Sequence, residues 1–185
     1  MTKPFRRKTD FIYSRQHFVN WFILAFLSGS VNAGGFLACQ RFVSHVTGFA
    51  TLFGVDFARG DTRLAFGMLS VPLFFLMGSM VSAFLVERRI HQDLVPRYAI
   101  AMFLVFLCLF SASLLGASGS FGQFGAALEI DQGYLLLALL CTASGLQNAV
   151  ITSVSGAVVR TTHLTGITTD LGIGLVRVLF PAKYQ

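Results

Sequence analysis

Charge is what this sequence has least of. Acidic and basic residues make up 12% of its 185 positions, against roughly a quarter in soluble domains. No Asp, Glu, Lys or Arg occurs between Gln16 and Gln40, nor within 64–86, 98–117 or 134–159. A water-soluble domain needs a charged shell, so that class is excluded. Cysteine is sparse as well: Cys39, Cys108 and Cys141 are the three in the chain. They lie far apart inside apolar runs, which argues against a disulfide framework and against a zinc knuckle; they read as small packing residues. HExxH, Walker A and GxGxxG signatures are absent. Neither a metal nor a cofactor is expected.

What fills the chain instead is apolar. Hydrophobic residues reach 55%, with 20 Phe, and mean hydropathy is +0.71. The runs 18–39, 64–86, 98–117 and 134–159 each attain the roughly 20 residues a helix needs to cross a bilayer. The expected fold is therefore an all-α integral membrane protein, with lipid as its first partner. Residues 1–16 form a basic tail, and 17–185 a single transmembrane domain. Lys3, Arg6, Arg7 and Lys8 before an apolar stretch have the shape of a secretory leader. The charge-free run to Gln40 exceeds the 7–15 or so residues of a leader's apolar region, so it is read as a retained first helix. The formal charge of +6 is scattered between the runs. It suits topology signals better than a nucleic-acid surface, and no nucleic-acid partner is expected.

Two shorter segments, 42–57 with His45 and Asp56, and 163–180 with His163, Asp170 and Arg177, decide the topology. If both re-enter on the side they left, with the N-terminus in the cytoplasm, 11 basic residues lie inside and 3 outside, Arg41, Arg59 and Arg63. If both span, the partition falls to 9 against 5. The positive-inside tendency favours re-entry, with loop 88–97 inside and loop 118–133 outside.

An internal repeat underlies this pattern. Ser28-Gly29-Ser30-Val31-Asn32-Ala33 recurs 116 residues later as Ser144-Gly145-Leu146-Gln147-Asn148-Ala149. Ser44-His45-Val46-Thr47-Gly48 recurs 118 residues later as Thr162-His163-Leu164-Thr165-Gly166. Across the 19 positions 28–33 and 44–56, nine are identical between copies. In the re-entrant topology three crossings separate the copies, so they face opposite ways. Inverted repeats of this kind place substrate sites where two interrupted helices meet near the membrane midplane. Repeat 1 covers about 18–86 and repeat 2 about 134–185. The counterpart of 64–86 would begin near 180, so the second copy is expected to be incomplete.

Asn32-Ala33 paired with Thr47-Gly48, then Gly145-Leu146-Gln147-Asn148-Ala149 with Thr161-Thr162-His163-Leu164-Thr165-Gly166, resembles the YoaK family of bacterial membrane proteins over most of 18–180. The resemblance implies about six membrane helices of about 20 residues each, and no established activity. Asn32 stands where the family usually has Asp, and Phe49 where it usually has Asn.

The candidate polar site comprises Asn32, His45, Thr47, Gly48, Gln147, Asn148, His163, Thr165 and Gly166. Ionisable residues at membrane depth point to function, which singles out His45 and His163. The amides are read either as lining a pathway or as bonding across a helix interface. Thr47-Gly48 and Thr165-Gly166 are read as turns in which glycine's conformational freedom is used. Asp56 is read as a boundary marker beside Arg59. Two functions stay open for a bacterial inner-membrane protein: a transporter of a small solute or ion, or a non-transporting assembly or interaction protein. Gly116-Ala117-Ser118-Gly119 has the form of an intramembrane serine nucleophile, with His163 as its base. Ser118 lies at a helix end in a glycine-rich loop, and no enzyme is expected.

Overall fold

The computed structural model describes residues 15–122, 124–125, 130–155 and 164–179, and among these every regular element is a helix. In chain order they are α1 (Arg15–Cys39), α2 (Val46–Ala58), α3 (Thr62–Leu85), α4 (Glu87–His91), α5 (Tyr98–Ala117), α6 (Ile130–Val154) and α7 (Leu164–Leu179). The charge-free runs become α1, α3, α5 and α6. Their membrane-length portions are Phe18–Cys39, Thr62–His91, Tyr98–Ala117 and Gly133–Val154. At about 1.5 Å per residue, 20 residues cover the roughly 30 Å hydrocarbon layer. The chain is a multi-pass membrane protein. The last long helix starts earlier than the apolar run suggests, because Ile130, Asp131 and Gln132 join its first turn.

Helix α6 is the centre. Of its spanning portion 61% is buried, against 17–22% for the other three; α3 and α5 pack along it, and α1 more lightly. The closest approach is made by two glycines. A Cβ on Gly78 of α3 would overlap the Thr142 carbonyl oxygen, and one on Gly145 of α6 would overlap that of Phe75. Small residues let membrane helices approach until their backbones touch, and this dispersion contact drives association where lipid removes the hydrophobic advantage. Hydroxyls stitch the same seam: Ser79 Oγ donates to the Gly145 carbonyl at 3.2 Å, and Ser70 and Tyr134 share a hydrogen bond. The paired positions 70/134, 78/142 and 79/145 rise together, so α3 and α6 run parallel.

The outer faces are phenylalanine-rich. Phe103, Phe106 and Phe110 on α5 are each more than half exposed, with Phe106 stacked on Phe110 at 5.7 Å. Phe18, Phe22 and Phe26 form a matching stripe on α1. Stripes of exposed phenylalanine are uncommon on soluble monomers, and they fit acyl chains. Short helix α2 packs on α3, while α7 makes no extended packing contact with another helix among the described residues.

Candidate functional site at the break after the first helix

Helix α1 stops at Gln40, whose φ of 59° lies in the left-handed region that ends many helices. The Gln40 N–H donates to the Phe36 carbonyl at 2.8 Å. From there the chain turns back along its own helix. Val43 lies against Gly35, where an added Cβ would stand 2.7 Å from Val43 Cγ1, and the Ser44 N–H donates to Asn32 Oδ1 at 3.0 Å. Successive residues thus meet earlier positions of α1. Residues 40–44 descend by about 10 Å, the rise of the seven residues from Asn32 to Cys39.

Helix α2 then climbs back over 13 residues, about 20 Å and too short to cross. It closes with Gly60 at φ 83°, Gly60 N–H donating to the Phe57 carbonyl at 3.0 Å and Asp61 N–H to that of Asp56 at 3.1 Å, a Schellman ending. Asp61 Oδ1 next accepts from Leu64 N–H at 2.9 Å and starts α3. Residues 42–57, expected as one short segment, therefore double back beside α1, through a bent stretch at 40–45 and into a helix that begins at Val46.

Backbone released inside a membrane needs partners, and here side chains supply them. Asn32 takes the Ser44 N–H. The Val43 carbonyl accepts from Cys141 Sγ of α6 at 3.1 Å. Sequence reading missed that role for Cys141; no local pattern carries it, because the two residues are 98 positions apart. The site is apolar on this side, in a cluster with Cys39, Val43, Phe49, Leu140 and Cys141.

His45 is the N-cap of α2 and makes no side-chain cap bond. It is exposed, its ring edge-on to Phe42 at 6.2 Å between centroids, and Phe42 stacks on Phe36 at 4.5 Å. Thr47 is exposed and Gly48 half-buried in the following turn, Gly48 N–H bonding the His45 carbonyl at 2.9 Å. One expectation is corrected here. Gly48 and Gly166 lie in helices with no left-handed φ. A Cβ on Gly48 would have its nearest neighbours, in His45, at 3.9 Å, and one on Gly166 would meet nothing within 4 Å. Both sit in the first turn of a helix, so neither uses glycine's freedom. Gly60, Gly119, Gly122 and Gly125 are the described glycines that do.

The second-copy residues serve other levels of the bundle. Gln147 is 4% exposed and its Nε2 donates to the Leu24 carbonyl of α1 at 3.1 Å. Leu24 lies eight residues from Asn32, about 12 Å along the helix. The Asn148 carbonyl accepts from Thr152 Oγ1 at 2.8 Å. Thr165 and Gly166 are exposed in the first turn of α7, and Thr169 Oγ1 donates to the Thr165 carbonyl at 3.0 Å. His163 lies outside the described residues. Ser118 caps α5, its hydroxyl donating to the Leu115 carbonyl at 2.8 Å and paired with Ser120 at 2.8 Å.

The residue most undervalued by its sequence context is Asp56. It is 3% exposed, and its Oδ2 has no hydrogen-bond partner. A buried carboxylate oxygen without a partner is costly. In a membrane bundle such groups mark ion or proton paths. Its neighbour Arg59, fully at the surface end of α2, had made it look like a simple boundary residue.

No curated protein and no solved structure matches the chain. A family model, that of a protein of unknown function (DUF1275), matches residues 21–185. That stretch runs from within α1 through the other three membrane-length helices, the break and α7, and the chain belongs to this family.

Proposed function

We propose that the protein moves an ion or small solute across the inner membrane of a bacterium, using the re-entrant α2 and its second-copy counterpart as paired broken helices. Asp56 carries this reading: a buried carboxylate with an unbonded oxygen sits on the half-helix that returns from the break. The N-terminal end of α2 adds a positive dipole end at the level of Asn32 on α1, the feature with which discontinuous helices face anions.

In this reading α1–α3 and α6–α7 are inverted copies, in a protein of the YoaK type with its N-terminus and basic tail in the cytoplasm. Register supports the inversion. Leu24 meets Gln147 and Gly35 meets Leu140, so α1 and α6 run antiparallel. Interpolating between those contacts brings Ser28 level with Ser144, which are repeat counterparts and both buried, at 6% and 5% exposure. A pseudo-two-fold axis would pass between them. Asn32, His45 and Thr47 would then relate to Asn148, His163 and Thr165 across that axis.

The test is proton movement into proteoliposomes loaded with a pH-sensitive dye, driven by a potassium diffusion potential. The expected result is dye acidification with the wild type and its loss in Asp56→Asn. Wild-type traces equal to those of empty liposomes would remove proton movement and favour the second reading, a non-transporting assembly or interaction protein. That alternative draws on one observation. The Asn32 and Gln147 amides are spent on structure, one on the Ser44 N–H and one on the Leu24 carbonyl.

A further inference from the structure

At the far end of α3 three arginines converge. Val86, fully buried in a cluster with Ala101 and Val150, anchors a tight connection between α3 and α5. The Arg97 N–H closes it on the Leu85 carbonyl at 3.1 Å, and Asp93 turns it with φ 54°. The connection encloses a cleft of about 230 Å³ lined by Phe84, Leu85, Arg88, Arg89, Gln92 and Arg97. No carboxylate among the described residues lines it. Glu87 is turned toward His91, 3.8 Å away, and Asp93 is absent from the wall.

Two guanidiniums are held in place by the protein. Arg89 Nε donates to the Val95 carbonyl at 2.7 Å, and Arg88 lies over the Phe84 ring at 4.7 Å. A guanidinium has five N–H donors, so each keeps most of its donors for another acceptor. Arg97 has no acidic partner among the described residues. Three such forks with no acid between them match phosphate, which accepts paired N–H donors.

Position decides which phosphate. The cleft lies where the spanning portion Thr62–His91 ends and Tyr98–Ala117 begins, hence at headgroup depth. Phe84, Leu94 and Val95, 59%, 47% and 80% exposed, stand beside the arginines and offer apolar contact to glycerol and acyl carbons. Basic pockets between membrane helices take anionic lipid headgroups in this way. We propose that this cleft binds the phosphate of an anionic phospholipid, and so holds the α3–α5 connection against the membrane surface.

The experiment uses the full chain, purified in a neutral detergent and titrated with dioleoyl phosphatidylglycerol, dioleoyl phosphatidylcholine or inorganic phosphate. Retained lipid is read by native mass spectrometry and the midpoint of thermal unfolding by intrinsic fluorescence. Phosphatidylglycerol is expected to stay bound and raise the midpoint, while the other two do not. Arg97→Gln, whose native side chain makes no bond among the described residues, is expected to weaken that binding about fivefold, the effect of one surface cation. The combined Arg88→Gln and Arg89→Gln variant should abolish it. Arg59→Gln, at the opposite end of α3, should leave it unchanged. Equal retention of phosphatidylcholine, equal protection by inorganic phosphate, or undiminished binding in Arg97→Gln would overturn the proposal.

Discussion

Glycine 145 and glycine 48 look alike in the sequence, each in a repeated motif, yet space around them differs completely. At Gly145 any Cβ collides with backbone of α3, which cannot rotate away; at Gly48 the nearest atoms stand at ordinary contact distance. Overpacking a tight seam costs typically 1–3 kcal/mol, more than the 0.5–1 kcal/mol or so that alanine returns through helix propensity. Gly145→Ala and Gly78→Ala are therefore expected to lower the thermal midpoint in detergent by several degrees, and Gly48→Ala to leave it unchanged or raise it. Equal midpoints for Gly145→Ala and Gly48→Ala would contradict the seam. Asp56 makes the same point with the opposite sign. Its identity was visible from the start, but its burial against α3 was not, since neighbouring Arg59 and Gly60 give the stretch the look of a surface loop.

At the scale of elements, the break between α1 and α2 depends on one side-chain acceptor. The Ser44 N–H would otherwise be unpaired beside an apolar cluster, and leaving a buried donor unsatisfied costs about 1–3 kcal/mol. Asn32→Leu is expected to destabilise the protein by that amount, whereas Asn32→Asp, which keeps an oxygen at the same place, should retain more of the stability. Unfolding midpoints of the two variants check this, and a midpoint for Asn32→Leu at or above that of Asn32→Asp would show that the bond contributes nothing. The four long helices were legible as uninterrupted charge-free runs. The direction of α2 was not legible from its own residues: charge counting favoured re-entry by a narrow margin, while the contacts of Val43 with Gly35 and Ser44 with Asn32 show the chain doubling back.

For the whole molecule, the placing of the basic residues predicts an orientation, and exposed positions at the two ends of α5 can report it. In a variant lacking the native cysteines, cysteine at Ser120 should react with a membrane-impermeant thiol reagent added to intact cells, and cysteine at Gln92 only after the membrane is opened; the reverse order would invert the topology. The sequence alone determined that this chain lives in lipid, because an unbroken apolar run of about 20 residues has no stable home in water, and it displays the identities of 28–33 and 44–56 with their later counterparts, which are read without coordinates. Tertiary structure alone decided that α6 is the hub, that Cys141 serves a carbonyl 98 positions away, and that Arg88, Arg89 and Arg97 share one cleft. These depend on which helix faces meet. In a membrane both lipid-facing and buried faces are apolar, so hydrophobic periodicity, which separates inside from outside in a soluble protein, carries little of that information here.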